Sequence, residues 1–262
     1  FVSSGLGGMS GAPAKAAVDQ IRDDLRLFVI EGDKIVREFL LSGRDIRYLI
    51  AKPEFISGIP VEFRSRIDEI IPVSYGELKK VSSLKTPHNA MAIVPMPEVT
   101  LKMGEISGNL TLALDTIQDP GNLGTIIRAA AWFGIRDLVC SETCVDVYNP
   151  KTVQATMGAI MHVNVHYTGL EEFLAAARND GMEVFGTMLE GEPVYGAELA
   201  HNGVILLGNE SRGISGNLIP LITRRLTIPG FNPVKSGIDS LNAGMAASII
   251  LSEFARRKFT SG

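Results

Sequence analysis

Val204-Ile205-Leu206-Leu207 is an unbroken apolar run that ends directly on Gly208. A strand that is apolar at every position must be buried on both faces, and sheets covered by helices on both faces are parallel ones. The surrounding chain alternates accordingly. Strand-like segments fall at 110–114, 138–140, 163–166, 183–187, 204–207 and 226–228, and helix-like segments at 123–133, 152–160, 170–179 and 241–258. In such sheets ligands sit where loops leave the carboxyl ends of the strands, and the glycine-bearing segments of this chain fall there.

A smaller α/β pattern precedes it. Strands are predicted at 25–30, 47–51, 70–73 and 90–94, with a helix at 34–41. Pro72 within the third strand points to a sheet edge, because proline cannot donate to a ladder. Ser74-Tyr75-Gly76-Glu77 fits a capping box. Pro95-Met96-Pro97 then breaks the pattern. The expected organisation is a flexible tail at 1–20, a small α/β domain at 21–94, a linker at 95–108 and a second domain at 109–262. The fold class is α/β throughout, a small N-terminal domain followed by a parallel-sheet domain. The glycines of the tail follow no strand, so they are not a dinucleotide fingerprint.

Two cysteines, Cys140 and Cys144, cannot form a disulfide framework, and no ligand set for a metal accompanies them or the spaced pair His162 and His166. No apolar run reaches the ~18 residues of a membrane span, and acidic and basic residues precede the first apolar segment, so the expected location is the cytoplasm. The net charge of −4 is not that of a strong non-specific nucleic-acid binder; a local basic patch or a second subunit would have to supply that footprint.

Three segments could carry chemistry. In Asp119-Pro120-Gly121-Asn122, the proline and glycine suit the centre of a type II turn, with Asn122 capping the helix that follows. That helix holds Arg128 among Ile126, Ile127, Ala129 and Ala130. Gly124, one turn earlier, shares its face and leaves room beside it; a plain surface arginine is the competing reading. The second segment, Leu207-Gly208-Asn209-Glu210-Ser211-Arg212-Gly213, follows the buried strand, and its glycines would let the backbone approach a ligand. An ordinary turn bearing an exposed acid is the alternative. The third is Ile228-Pro229-Gly230, a loop, and Ser240-Leu241-Asn242-Ala243-Gly244, where Ser240 or Asn242 would cap the last helix. Neither a phosphate loop nor a nucleophile elbow occurs.

Together and in this order, these segments resemble the three motifs of the SpoU/TrmH family of RNA ribose 2′-O-methyltransferases, in the SPOUT superfamily: Asn122 with Arg128, the Leu207–Gly213 segment, then Ile228-Pro229 with Ser240-Leu241-Asn242. Ala155-Thr156-Met157-Gly158-Ala159 is similar to a serine-bearing segment of the family, with threonine in place of serine. Phe28 to Gly32 and Ser83 to Pro87 resemble the substrate-binding domain that often precedes it, itself like ribosomal proteins that grip bent RNA.

The resemblance implies a C-terminal trefoil knot and S-adenosylmethionine bound in it, with Leu207, Gly208, Asn209, Ile228, Pro229, Ser240 and Leu241 around the cofactor. It implies Arg128, Asn122, Glu210 and Asn242 as the catalytic group, no metal, and a homodimer with the small-residue helix at its interface. RNA is the implied partner, ribosomal RNA ahead of tRNA; tRNA ribose methylation and a non-catalytic RNA-binding assembly factor are the alternative readings. The family account makes Arg128 the base. A guanidinium keeps its proton at ordinary pH, so holding a phosphate and stabilising the developing alkoxide suits it better. Residues 231–239 stand as an insertion between the two parts of the third motif, beside the implied cofactor site.

Overall fold

The computed structural model describes residues 24–231 and 240–260. The expected tail at 1–20 lies outside them. So do residues 232–239, on which the expected knot path and most of the insertion fall. The chain divides into two compact units between Glu98 and Val99.

The first unit is a four-stranded sheet in the order β1-β4-β2-β3, with β1 Leu27–Glu31, β2 Ile46–Ala51, β3 Ile67–Pro72 and β4 Ala90–Pro95. β4 runs antiparallel to β1 and β2, and β3 runs parallel to β2. The carboxyl ends of β1, β2 and β3 therefore share one end of the sheet. Pro72 is on an edge strand, as its chemistry requires. Helix α1 (Asp33–Leu41) buries Ile35, Val36, Phe39 and Leu40, one stripe at helical spacing. Two short helices, α2 (Pro53–Ser57) and α3 (Val61–Arg64), follow β2. The capping box forms as expected at α4 (Tyr75–Val81): the Glu77 amide donates to Ser74 Oγ at 3.3 Å, and the Ser74 amide donates to Glu77 Oε2 at 2.8 Å.

The second unit holds α5 (Met103–Ile106) and a six-stranded sheet in the order β10-β8-β9-β5-β6-β7, parallel at every pairing. Its strands are β5 Leu110–Leu114, β6 Asp137–Cys140, β7 Asn164–Tyr167, β8 Val184–Pro193, β9 Gly203–Leu207 and β10 Arg224–Thr227. All five residues of β9 are buried, which accounts for its unbroken apolar run. The chain builds outward from β5 to β7, then crosses back to lay β8 beyond β9. The order of winding reverses between β5 and β9, the kind of switch point beside which parallel sheets take their ligands.

Helices α6 (Pro120–Trp132), α7 (Pro150–Thr156), α8 (Leu170–Asn179) and α9 (Ala243–Thr260) cover the sheet. Three of these elements differ from expectation. The first, α6, starts at Pro120, not after a type II turn. Asp119 is its cap, its Oδ1 accepting from the Asn122 amide at 2.8 Å, and Pro120 takes the first helical position, where a missing N–H costs nothing. The helix predicted at 152–160 stops at Thr156, because Met157 and Gly158 both adopt left-handed backbone, φ 51° and 92°. The strand predicted at 183–187 extends to Pro193, because β10 pairs with it twice, at Phe185–Gly186 and again at Glu192–Pro193. Residues 187–191 bow out between the two pairings.

Candidate active site

The loop after β9 is tied to the loop after β5. The Asp115 amide donates to Leu207 O at 2.8 Å, closing the end of the sheet. The buried Asp115 carboxylate accepts from the Ser215 amide at 2.7 Å and from the Thr116 hydroxyl at 2.9 Å. Asn209 Nδ2 donates to Thr116 O at 2.8 Å, while its Oδ1 accepts from the amides of Ser211 and Arg212. The Asn209 side chain, expected beside a cofactor, is thus committed to building the loop. Gly208 also has a structural role in this loop. Its missing Cβ makes room for the loop's own return, since a Cβ there would sit inside the backbone of Gly213 and Ile214, 2.5 Å from Gly213 O. The glycine serves closure of the turn rather than only the approach of a ligand.

Glu210, carried at the tip of this loop, gathers the other two motifs. Its Oε1 accepts from Asn122 Nδ2 at 2.8 Å, from Asn242 Nδ2 at 2.7 Å and from the Ala243 amide at 2.7 Å. Asn242 Nδ2 also donates to Asn122 Oδ1 at 2.7 Å. Asn242, rather than Ser240, caps α9, its Oδ1 accepting from the amides of Gly244 and Met245. One carboxylate oxygen thereby bolts together residues 88 and 32 positions away in the chain. Asn122 can join only because Asp119 caps α6; an asparagine capping its own helix would have its oxygen turned to the first turn's amides. Glu210 Oε2 takes no hydrogen bond among the described residues and is free for a ligand.

Arg128 is not part of this cluster. It is exposed on α6 and bonds to no described residue. Six residues of helix place it roughly 9 Å along the axis from Asn122. Gly124 does not make space for it. That glycine faces α7, where a Cβ would come within 3.0 Å of Thr152 O. The small residues of α9 likewise face inward: Ala243 and Ala247 are buried, and a Cβ on Gly244 would lie 2.8 Å from Thr125 Cγ2. Their close packing joins α9 to α6 of the same chain. What the two helices leave exposed is Trp132, 85% exposed, and Met245, 58% exposed, with Thr125 and Arg128 on the same stripe as Trp132.

Ile228 and Pro229 are half-buried at the end of β10, and Ser240 and Leu241 are exposed just before α9. The backbone amides of Gly208, Ile228 and Gly230 donate to no described group. Leu207 is buried, with its carbonyl taken by Asp115. Sequence reasoning missed the contribution of β8: Thr187 Oγ1 donates to Leu206 O at 3.1 Å, and Thr227 Oγ1 to Leu189 O at 3.0 Å, so the 187–191 bow is tied to the ends of β9 and β10. A threonine at the end of a strand was the available signal. It also gave Asp115 no role; an aspartate directly after the buried strand β5 was the sign.

Residues 109–252 match the SpoU rRNA Methylase family and residues 19–92 the MRM3-like substrate binding domain. The chain is 29% identical over 231 residues to the 23S rRNA (guanosine(2553)-2'-O)-methyltransferase RlmP of Bacillus subtilis, covering 88% of this chain and 89% of that one. It is 27% identical to the mitochondrial rRNA methyltransferase 3 of Homo sapiens, over 87% of this chain and 67% of the other. Among solved structures, a protein from Porphyromonas gingivalis described as a TrmH-family RNA methyltransferase aligns with a TM-score of 0.80 and 33% identity, covering 95% of this chain and all of that one. An AdoMet-bound rRNA methyltransferase from Sinorhizobium meliloti aligns with a TM-score of 0.79 and 27% identity, over 91% and 90% of the two chains.

Proposed function

The chain belongs to the SpoU rRNA methylase family, and from that premise we propose that it methylates a ribose 2′-hydroxyl of ribosomal RNA with S-adenosylmethionine as donor. The observation that carries this is the convergence of Asn122, Asn242 and the Ala243 amide on one oxygen of Glu210. It draws the three motif segments together at the carboxyl ends of β5, β9 and β10.

The residues present fit the donor. Unengaged backbone amides at Gly208, Ile228 and Gly230 suit the polar edges of an adenosine. Half-buried Ile228 and Pro229 and the exposed Leu241 offer apolar surface for its ring. When bound, S-adenosylmethionine supplies an activated methyl on a sulfonium sulfur. The protein's task is to hold the 2′-hydroxyl in line with that methyl and to manage its proton. Glu210 Oε2, its position fixed by the three donors on Oε1, is placed to accept a hydrogen bond from the hydroxyl. Arg128, exposed and unbonded, holds the adjoining phosphate through its planar fork. Asn122 and Asn242 act as positioning residues, because every polar atom of their amides that the cluster uses points at Glu210, at each other or at the first turn of α9.

We also propose a homodimer built on the exposed faces of α6 and α9. A tryptophan 85% exposed on a helix whose other face is packed is a strong anchor for a second copy. Arg128 lies on that stripe, so the nucleotide would be gripped at the subunit boundary, where a homodimer brings a second copy of the same arginine.

The test is methyl transfer from isotopically labelled S-adenosylmethionine to ribosomal RNA from cells lacking this protein, followed by nucleoside analysis. A 2′-O-methylated nucleoside is the expected product. A base-methylated nucleoside, or incorporation into tRNA alone, would overturn the proposal.

A further inference from the structure

A cavity of about 460 Å³ opens in the first unit, well within the size range of a site for a nucleotide-sized ligand. Its walls come from the loops at one end of the sheet: Asp33 and Arg37 after β1, Lys52 and Phe55 after β2, Tyr75 after β3, and Asn89 before β4. These are the carboxyl ends of the three co-directional strands, where an α/β sheet leaves its crevice.

Three chemistries meet there. The Arg37 guanidinium lies 4.5 Å from the centroid of the buried Phe55 ring and is pinned by a hydrogen bond from Nη1 to Gly58 O. The Lys52 ammonium lies 5.2 Å from the Tyr75 ring, which is itself 44% exposed. Neither cation forms an ion pair with a carboxylate among the described residues, although Glu54 and Asp33 border the same space. Asp33 is held instead by Asn89, whose amide and Nδ2 donate to its two oxygens at 2.8 and 2.6 Å. The wall thus presents two unneutralised cations, an open aromatic face and a fixed acceptor. The capping box at Ser74 and Glu77 locks the backbone that carries Tyr75.

We propose that this cavity receives one unpaired nucleotide of the substrate RNA, its base stacked on Tyr75, its phosphate on Lys52 and Arg37, and an amino group of the base donating to Asp33. A splayed nucleotide has a π-face, an anion and an exocyclic donor in one ligand. An acidic peptide would leave Asp33 and Tyr75 without matching groups. The inference rests on the RNA reading above, but locates a second point of grip within the first unit, one that does not depend on the methyl donor.

The whole chain is tested by fluorescence anisotropy against a short fluorescein-labelled single-stranded RNA of mixed sequence and the blunt duplex of the same sequence. The single strand should bind more tightly than the duplex. Tyr75→Ala and Lys52→Ala should each weaken it roughly 10-fold, the effect of losing one stacked base, while Tyr75→Phe keeps wild-type affinity. With a 4-thiouridine-bearing strand, ultraviolet cross-links should map to the peptide containing Tyr75. In turnover on ribosomal RNA, Tyr75→Ala should raise KM by a similar factor and leave kcat and S-adenosylmethionine affinity unchanged. Wild-type binding by both alanine variants, or cross-links confined to residues after Glu98, would overturn the proposal while methyl transfer still stands. Equal displacement of the RNA by free nucleoside monophosphates would overturn it in favour of a small-nucleotide site. Tyr75-dependent binding without any methyl transfer would sustain the pocket and overturn the catalytic reading.

Discussion

Glu210→Ala is the sharpest perturbation of the site. It deletes the acceptor on which Asn122 Nδ2, Asn242 Nδ2 and the Ala243 amide converge. Were all three bonds buried and charge-assisted, the loss would be roughly 4.5–9 kcal/mol at ~1.5–3 each. Glu210 is exposed, however, so the two asparagine amides can turn to water, and Asn242 keeps Asn122 Oδ1. The uncompensated loss is the Ala243 amide at the buried start of α9, together with part of the others, about 2 kcal/mol in sum. For a unit of this size that is a fall in Tm of roughly 4–8 °C, read by calorimetry. Glu210→Gln keeps an acceptor at Oε1 and should lose only about 1 kcal/mol. It cannot accept at the second position, so methyl transfer should still fall roughly 100-fold. In a double-mutant cycle with Asn122→Ala, the coupling should be about 1 kcal/mol. Additive effects, or a glutamine variant with wild-type kcat, would refute the reasoning.

Other outcomes follow from the same geometry. Arg128→Lys should lower kcat/KM for ribosomal RNA by roughly 10-fold or more through loss of the bidentate fork, yet leave Tm unchanged because the side chain bonds to no described residue; full activity in the lysine variant argues against a phosphate-gripping role. Gly208→Ala forces the returning backbone of Gly213 and Ile214 apart, costing roughly 1–3 kcal/mol, and calorimetric titration should show S-adenosylmethionine affinity lost with it; unaltered affinity would contradict the closed turn. Trp132→Lys should convert a dimer to a monomer in light scattering, and an unchanged mass would remove the proposed interface. Finally, hydrogen bonds and charge from Arg256, then Arg257, hold the Glu253 carboxyl below its ordinary range. A depressed folded value means this stabilisation is present above the unfolded value, ~4.3, and is lost as pH falls through the folded one. Glu253→Gln should therefore lower Tm at neutral pH and flatten its decline below about pH 4.3; an unchanged acid limb would disprove the linkage.

The sheet and its burial were legible because they are written in local patterns. Val204 to Leu207 could be nothing but a doubly covered strand, and Pro72 could sit only at an edge. The Ser74–Glu77 box was likewise complete within four residues. What escaped notice depended on partners distant in the chain. Asn122 looked like a cap, since nothing nearby revealed that Asp119 would take that role and release it to Glu210. Gly124 and Gly244 were small for the sake of α7 and of Thr125, neither of which is a sequence neighbour. The second pairing of β8 with β10 could not be read either, because Glu190, Gly191 and Glu192 lack strand character, and the pairing depends on Leu226 and Thr227 beside Glu192 and Pro193 and on Arg224 bonded to Glu192. Glu210 was recognisable as a candidate through its motif, but its three donors come from two other motifs and exist only once the chain is folded.

The bond from Asn242 to Asn122 spans 120 residues. Contacts of such separation form late, because the whole intervening loop must be closed first. A chain still being synthesised, with β5 to β9 already assembled, would carry Glu210 on a finished turn yet lack two of its three donors. The cluster around Glu210 would therefore be incomplete until the last described helix docks. Competence to modify RNA is in this way conditional on the arrival of α9: a product that stops before Asn242 could fold most of its sheet, but would lack two of the donors that fix Glu210.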